Sequence, residues 1–406
     1  MQRIIWRISI HRLLLLLMAV GIEGCATSPQ THVRCGIDVL ARDHFKALEG
    51  RHVALITNQT SLDREGHRTA SLLAAAGNFK LICLLSPEHG LYGNVDERVG
   101  NTIDAETGLK VYSLYGKTTR PTDEMLEGVD TLVFDIQDVG ARFYTYSSTL
   151  GICMEEAARR KLKFMVLDRP NPVTGLSVDG PIADAEHFGF TAFGPLPVTH
   201  GMTFGELARL YNDAWGIHGD LTVVPMENWR RRMWYDQTGL RWVNPSPNLR
   251  NLTAATLYPA ICLLEATNVS VGRGTDRPFE QLGAPWMDGL KLAEALNGRH
   301  LPGLSFIPVE FTPQASTFKG QNCRGVQIVL TDRERFKTMR SGVTIVWVIR
   351  NLFGTSFQFG KVEKLLQNKD AMVAIAQAKD PRVIESVWQS SLQKFKLLRL
   401  KYLIYE

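Results

Sequence analysis

Short apolar runs alternate with helical segments along the chain from about residue 35 onward. Four of the runs predict strands, at 53–61, 81–90, 131–140 and 163–175, and helical patterns such as that of 149–161 lie between them. Each run is apolar almost throughout rather than at every second position, which is typical of strands covered on both faces. The pattern predicts an α/β fold in which right-handed βαβ units build a Rossmann-like parallel sheet.

The pattern changes beyond residue 185, where loops rich in Pro and Gly replace the regular alternation. A helix is still expected after Thr203, because Thr203 and Glu206 have the spacing of a capping box. We therefore expect a Rossmann-like catalytic domain over 36–185 and a second, smaller α+β domain over 186–406. The active-site cleft is expected between them.

Each of the four predicted strands ends in polar side chains. In open α/β sheets the carboxyl ends of the strands lie along one edge, where ligands bind. For any one residue, a polar loop or a helix cap is a sufficient explanation. Four such ends in succession favour a functional site. The residues are Asn58 and Gln59, Glu88 and His89, Asp135 with Gln137 and Asp138, and Asp168 with Arg169 and Asn171.

Composition narrows the classes of function. The 406 residues are 45% hydrophobic and 21% charged, and the net charge of +5 is spread along the chain, so we expect a globular protein without a nucleic-acid partner. The first strand is followed by TNQTSLDREG rather than a Gly-rich phosphate loop, and no G-x-S-x-G motif occurs. Neither a dinucleotide cofactor nor a serine nucleophile is therefore expected. The cysteines lack zinc-site spacing, and we expect no metal.

The N-terminus has the pattern of an export signal. Three arginines among the first twelve residues precede the apolar stretch 13–22, which is too short to span a bilayer comfortably. We expect 1–24 to be a signal peptide. Cys25 follows in a segment that resembles a bacterial lipoprotein cleavage site, which predicts lipidation of Cys25. The sequence thus predicts an exported protein of the cell envelope or periplasm, held at a membrane only through an N-terminal lipid anchor.

Carboxylate chemistry remains once these classes are set aside. Glycoside hydrolysis requires an acid that protonates the leaving oxygen. Glu88 suits this role, since an apolar strand and Pro87 limit its hydration, and His89 is placed to orient it. Asp135 and Asp138 are the next candidates, as base, nucleophile or support for a cationic centre, unless a 2-acetamido group of the substrate takes that part. The structural alternative is that Glu88 pairs with an arginine or caps its loop.

Eight segments carry the strand ends and the later loops: LITNQTSLDREG, SPEHGLYG, VYSLYG, DIQDVGARFYTYSSTL, LDRPNPVTG, THGMTFGELA, PSPNL and ATNVSVGRGTDRPFEQLGAPW. In this order they closely resemble the NamZ-type exo-β-N-acetylmuramidases. The resemblance runs from about residue 36 to 330 and continues more weakly to the end. Motifs of this length are specific.

The resemblance implies a two-domain enzyme that removes terminal N-acetylmuramic acid from the non-reducing ends of peptidoglycan fragments, with Glu88 as the catalytic acid. The lactyl carboxylate of muramic acid requires a cation or an array of N–H donors, for which Arg142 or Arg273 is predicted. Val271 stands where many relatives have an acidic residue. The other residues that match family motifs are Asn58, Gln59, His89, Asp135, Gln137, Asp138, Tyr144, Asn248, Glu265, Asn268 and Thr275.

A second hypothesis is a non-catalytic lipoprotein that binds muropeptides or sugars in the same cleft. An esterase or amidase acting on peptidoglycan is disfavoured because nucleophile motifs are missing. The sequence does not determine whether the reaction is retaining, inverting or assisted by the substrate, nor the oligomeric state.

Overall fold

The computed structural model describes residues 32–98, 100–377 and 379–406. The predicted signal peptide, 1–24, and the predicted lipidation site, Cys25, lie outside the described residues. Within the described ranges, no helix is both long enough and apolar enough to cross a bilayer.

The larger of two sheets has seven strands, which are β1 (His52–Thr57), β2 (Lys80–Ser86), β3 (Thr102–Ile103), β4 (Lys110–Ser113), β5 (Thr131–Asp135), β6 (Lys163–Leu167) and β7 (Asp220–Val224). Their order in the sheet is β3-β4-β2-β1-β5-β6-β7. β3 is antiparallel to β4, and every other neighbouring pair is parallel. The predicted Rossmann-like parallel sheet is confirmed.

The strand order reverses between β1 and β5. The chain runs outward from β1 to β2 and β4 on one side, and from β5 to β6 and β7 on the other. Thr57 and Asp135 are register partners at the carboxyl ends of the two central strands. Open α/β sheets bind ligands outside such a reversal point.

The helices are α1 (Gly36–Arg42), α2 (Thr69–Ala75), α3 (Tyr146–Arg160), α4 (Phe204–Asp213), α5 (Leu252–Ile261), α6 (Gly289–Asn297), α7 (Thr338–Phe353), α8 (Glu363–Leu366), α9 (Lys369–Ala376), α10 (Pro381–Ser386) and α11 (Gln389–Arg399). Of these, α1 to α4 pack against the larger sheet. Leu55 of β1 belongs to one buried cluster with Leu73 of α2, whereas Ile56 belongs to another with Leu150 of α3. Burial on both faces explains why the strands are apolar at nearly every position.

The smaller sheet is antiparallel and consists of β8 (Gln281–Ala284), β9 (Leu304–Phe311) and β10 (Cys323–Leu330), in the order β8-β10-β9. α6 packs against β9 and β10, and α5 packs against α7. This is the second, smaller part that the sequence predicted.

The change from one sheet to the other comes later than predicted. β7 pairs in parallel with β6, so the larger sheet continues well past residue 185, where the sequence pattern placed a boundary. The Pro- and Gly-rich segment is a long loop between β6 and α4, not a linker between domains. Residues 33–406 form one compact unit.

Candidate active site

β2 delivers Glu88 to the carboxyl edge of the larger sheet. Most of β2 and Pro87 are buried, whereas Glu88 and His89, which follow them at this edge, are half-buried. His89 has φ of 70° and Gly90 has φ of 73°, so two successive left-handed residues turn the chain away from β2. A left-handed histidine costs about 1 kcal/mol or more, and such strain clusters at functional sites.

Hydroxyl groups surround the Glu88 carboxyl. Thr145, at the N-terminus of α3, donates a hydrogen bond from Oγ1 to Glu88 Oε2. Burial and a hydrogen bond with Glu88 raise the pKa of Tyr115 to about 12, so this phenol stays protonated. The Tyr146 hydroxyl lies 3.2 Å from the Glu88 carbonyl oxygen and accepts a hydrogen bond from Asn58 Nδ2 at 3.0 Å. Neighbouring strand and helix ends therefore fix the acid in place.

Aromatic rings enclose the same region. Tyr144 packs edge-to-face on Tyr146 and Tyr258, with ring centroids 4.7 and 5.9 Å apart. Burial raises the pKa of Tyr144 and Tyr258 well above the ordinary value. Tyr115 stacks on Phe190 at 5.9 Å, and both rings are partly exposed. Rings with an apolar face and a polar edge suit a sugar, which has both kinds of surface.

Asp96 connects the loop after Glu88 to the second part of the chain. His89 Nδ1 lies 2.8 Å from the Val95 carbonyl oxygen and 3.4 Å from Asp96 Oδ1. Asp96 Oδ2 accepts a hydrogen bond from Asn248 Nδ2 at 2.9 Å and lies 3.0 Å from an Arg273 nitrogen. Burial alone would raise the pKa of Asp96, but Arg273, Asn248 and His89 together hold it below its usual value. The sequence analysis missed Asp96, because nothing in its surrounding pattern distinguishes it from any loop acid.

Arg273 is held by two carboxylates. Besides Asp96, its guanidinium contacts Glu265 Oε1 at 2.7 Å. Burial would lower the pKa of Arg273, but Glu265 and Asp96 outweigh it and raise the pKa. Glu265 also lies 3.1 Å from Cys262 Sγ through its other oxygen. The positive charge of Arg273 is thus already balanced by the carboxylates of Asp96 and Glu265.

A cavity of about 770 Å³ adjoins this network. Its size lies within the range of small-molecule sites. The lining residues are His187, Thr191, Glu265, Ala266, Val269, Val271, Arg273, Ser316, Thr317, Glu363, Lys364, Leu365 and Gln367.

Asp135 and Asp138, for which the sequence predicted catalytic roles, are both buried. Asp135 is fully buried in a bidentate ion pair with Arg169 and accepts a further hydrogen bond from Thr69. Asp138 is 2% exposed, and its Oδ2 lies 3.3 Å from the buried His200. Neither carboxyl group reaches solvent, so neither is placed to contact a substrate.

Arg142, which the sequence predicted as a partner for the lactyl carboxylate, is also buried. Its side chain is fully buried, and its two terminal nitrogens donate to the carbonyl oxygens of Pro181, Leu196, Leu365 and Leu366 at 2.7 to 2.9 Å. Burial lowers the pKa of Arg142 to about 9. The guanidinium thus holds the loop that contains Pro181 and Leu196 against the helix α8.

The remaining amide and hydroxyl residues mainly fix loops. Gln59 donates to the carbonyl oxygen of Asn244 at 2.8 Å, and Gln137 donates to that of Pro170 at 2.6 Å. Asn268 donates to the Ser356 carbonyl at 2.8 Å, and Thr275 donates to the Gly272 carbonyl at 2.6 Å. The predicted residues that do meet around Glu88 and the cavity are Asn58, His89, Tyr144, Asn248, Glu265 and Arg273.

In the part of the chain that the structure describes, potential metal-ligand groups occur at two places. They are Asp184 with Glu186 and His187, and Asp38 with Asp63 and Glu65. Neither contains Glu88, His89 or the two buried aspartates, and His187 of the first group also lines the cavity.

The chain matches known proteins along most of its length. Residues 53–253 match the family described as exo-beta-N-acetylmuramidase NamZ, N-terminal, and residues 256–405 match its C-terminal counterpart. The chain is 43% identical over 384 residues to the peptidoglycan beta-N-acetylmuramidase NamZ of Bacillus subtilis (strain 168), covering 93% of each protein.

Two solved structures of DUF1343 family proteins from Bacteroides fragilis NCTC 9343 have similar folds. One has a TM-score of 0.87 at 35% identity, and the other a TM-score of 0.77 at 32% identity. Each comparison covers 92% of this chain and 99% of the other.

Proposed function

The chain belongs to the exo-β-N-acetylmuramidase NamZ family, and we propose that it is a glycoside hydrolase that releases terminal β-N-acetylmuramic acid from the non-reducing ends of peptidoglycan fragments. The observation that carries the proposal is the half-buried Glu88 carboxyl, hydrogen-bonded by Thr145 and Tyr115, in a loop that is connected through Asp96 to Arg273 at a cavity of about 770 Å³.

Glu88 is the proposed general acid. As the bond between the anomeric carbon and the leaving oxygen breaks, the carboxyl donates its proton to that oxygen, and a water molecule supplies the hydroxyl that the released sugar acquires. The proton that this water loses passes to solvent, from which Glu88 is protonated again. Thr145 and Tyr115 hold the carboxyl and stabilise the anion that remains. Since Asp135 and Asp138 are buried, the proposal gives the acid role to Glu88 alone.

Export to the cell envelope is part of the same proposal. A cell-wall substrate lies outside the cytoplasm, and the N-terminal arginines and the apolar stretch 13–22 support export with a lipid on Cys25. Cys25→Ser should abolish incorporation of labelled palmitate and release the protein from membranes. A Cys25→Ser protein that keeps both label and membrane association would contradict the lipid anchor.

Chromophore release from 4-nitrophenyl β-N-acetylmuraminide tests the activity. On an unactivated disaccharide with N-acetylmuramic acid at its non-reducing end, whose leaving alcohol requires protonation, we expect turnover by the wild type and a loss in kcat of roughly 10²–10⁴-fold in Glu88→Gln, the range that general acid catalysis contributes. Glu49→Gln is the matched control, because Glu49 is an exposed glutamate far along the chain from the site, and it should match the wild type. Binding without turnover by the wild type would instead support a non-catalytic sugar-binding protein.

A further inference from the structure

The cavity of about 770 Å³ has two lining residues that are connected to the loop and rings around Glu88. Arg273 lines the cavity and contacts Asp96, which in turn lies beside His89. Thr191 also lines the cavity and directly follows Phe190, the ring that stacks on Tyr115. The cavity is therefore connected to the Glu88 loop through these residues, and we take it as the place where the rest of the substrate binds.

The lining offers polar groups that the protein itself leaves unused. Gln367 is 4% exposed and donates from Nε2 to Thr191 Oγ1 at 2.9 Å, but its Oε1 is buried without a hydrogen-bond donor. A buried acceptor without a donor costs about 1–3 kcal/mol, a cost that a ligand hydroxyl or amide group would remove. The hydroxyls of Ser316 and Thr317 also line the cavity.

Muramic acid differs from other common amino sugars in carrying a carboxylate, which requires a positive partner. The buried guanidinium of Arg142 already donates hydrogen bonds to four backbone carbonyl oxygens. Arg273 is already paired with Glu265 and Asp96. A third negative group on Arg273 would lie close to two carboxylates, so neither arginine is a favourable partner for the ligand.

Lys364 is the cation that remains. Among the described residues that line the cavity, it is the only lysine or arginine without an ion pair or a side-chain hydrogen bond. His187, the other basic group, has its Nε2 3.7 Å from Glu363 Oε1 and 3.8 Å from Glu186 Oε1. Glu363 is thus oriented toward His187, while the neighbouring ammonium group is available to a ligand.

A buried side chain links Lys364 to the acid. α8 carries Lys364, and the carbonyl oxygens of Leu365 and Leu366 in that helix accept hydrogen bonds from Arg142 at 2.9 and 2.8 Å. Arg142 lies three residues before Thr145, which donates to Glu88. The backbone of α8 that carries Lys364 is therefore held by packed structure to the segment that contacts Glu88.

We propose that Lys364 binds a carboxylate of the substrate and so selects muramyl over glucosaminyl residues. The inference rests on the proposed function. The carboxylate has two possible sources, the lactyl group of an unsubstituted sugar or the end of a peptide attached to it, since attachment converts the lactyl carboxylate into an amide. The ammonium group forms a charge-assisted contact and takes no part in bond breaking.

The test compares Lys364→Gln with wild type on the 4-nitrophenyl muraminide and on its lactyl methyl ester. For the acid, we expect KM to rise about tenfold with kcat within about twofold, since lost binding that is equal in ground and transition states changes KM alone. For the neutral ester, wild type and variant should have the same KM. Lys361→Gln, which removes an exposed lysine outside the cavity lining, should change neither.

A muraminide carrying a dipeptide separates the two sources. If its KM also rises in Lys364→Gln, the peptide carboxylate reaches the lysine; if only the unsubstituted sugar is affected, the lactyl carboxylate is the ligand. An unchanged KM for both, or an equal rise for acid and ester, would overturn the inference while leaving the proposed activity intact.

Calorimetry measures ligand binding directly and so tests the role of Lys364 independently of catalytic turnover. Free N-acetylmuramic acid should bind wild type more tightly than Lys364→Gln, whereas N-acetylglucosamine should bind both equally. Equal affinities of both proteins for N-acetylmuramic acid would exclude the lactyl carboxylate as the ligand, and equal affinities for the dipeptide muraminide as well would contradict the role of Lys364. A wild type that binds but does not turn over substrate would count against the proposed function only.

Discussion

At the scale of single residues, the acid at position 88 has neutral neighbours. Thr145 and Tyr115 contact its carboxyl, and across the described ranges no lysine, arginine or histidine lies within ion-pair distance of it. An arginine partner would hold the carboxylate ionised and unable to donate a proton. The structural alternative considered for Glu88, a stabilising ion pair, is found instead at Asp135 with Arg169.

Thr145→Val tests the hydroxyl contact to Glu88. Valine keeps the shape of threonine but lacks the donor, and the Thr145 side chain makes no helix-capping bond, so the fold should be preserved. Loss of a hydrogen bond to a charged group costs about 1.5–3 kcal/mol. We expect kcat on an unactivated disaccharide with N-acetylmuramic acid at its non-reducing end to fall by about 10- to 100-fold.

Thr145→Ser is the matched control for this change, because serine retains the hydroxyl, and it should keep kcat within a few-fold of wild type. Equal losses in the valine and serine variants would show that the methyl group, not the hydroxyl, matters.

At the scale of secondary-structure elements, α3 carries function at one end and stability at the other. Its N-terminus presents Thr145 and Tyr146 to the site. Near its C-terminus, the buried Glu156 pairs with Arg159 at 2.6 Å and with Arg160 at 2.7 Å. Burial would raise the pKa of Glu156, but the two arginines outweigh it and lower the pKa to about 2.

Glu156→Gln should therefore change stability in a pH-dependent way. A carboxyl whose folded pKa is below its unfolded value contributes stability above the unfolded pKa and loses it as pH falls through the folded pKa. We expect the variant to lower the free energy of unfolding by about 2 kcal/mol at pH 7, with a difference that shrinks from about pH 5 toward pH 2.

Urea unfolding at several pH values measures the difference. Glu155→Gln is the control, since its exposed ion pair with Arg120 should contribute less than about 1 kcal/mol. A pH-independent effect of Glu156→Gln would rule out the ionised carboxylate as the cause.

At the scale of the whole molecule, Arg142 joins the two parts of the chain. It follows β5 in the larger sheet, and its guanidinium binds carbonyl oxygens of a loop of the first part and of α8 in the second. One side chain thus connects the segment that orients Glu88 with the helix that lines the cavity.

Arg142→Met should destabilise the protein by about 3 kcal/mol or more, because it leaves four buried carbonyl oxygens without donors. We expect a lower urea midpoint and, in the folded variant, a higher KM for the muraminide. Arg142→Lys, which can reach only some of the carbonyls, should be intermediate in both measurements. Wild-type stability in Arg142→Met would contradict the joining role.

The sequence by itself determined the parallel sheet and the position of Glu88. Strands buried on both faces must be apolar throughout, and this pattern is visible in one dimension at β1, β2, β5 and β6. The carboxyl ends of such strands meet at one edge, so the approximate location of the site followed as well. The sequence did not determine where the larger sheet ends, because a Pro- and Gly-rich loop within a domain has the same local pattern as a linker between domains.

Only the tertiary structure decided which polar side chains at the strand ends are paired and buried and which stay partly exposed. Glu88, Asp135 and Asp138 all follow buried strands, yet Arg169 from the next strand end closes off Asp135, while hydroxyls meet Glu88. Lys364 lies in no motif and reaches the cavity through the placement of α8. Side-chain exposure and pairing depend on contacts between residues far apart in the chain, and local patterns do not encode them.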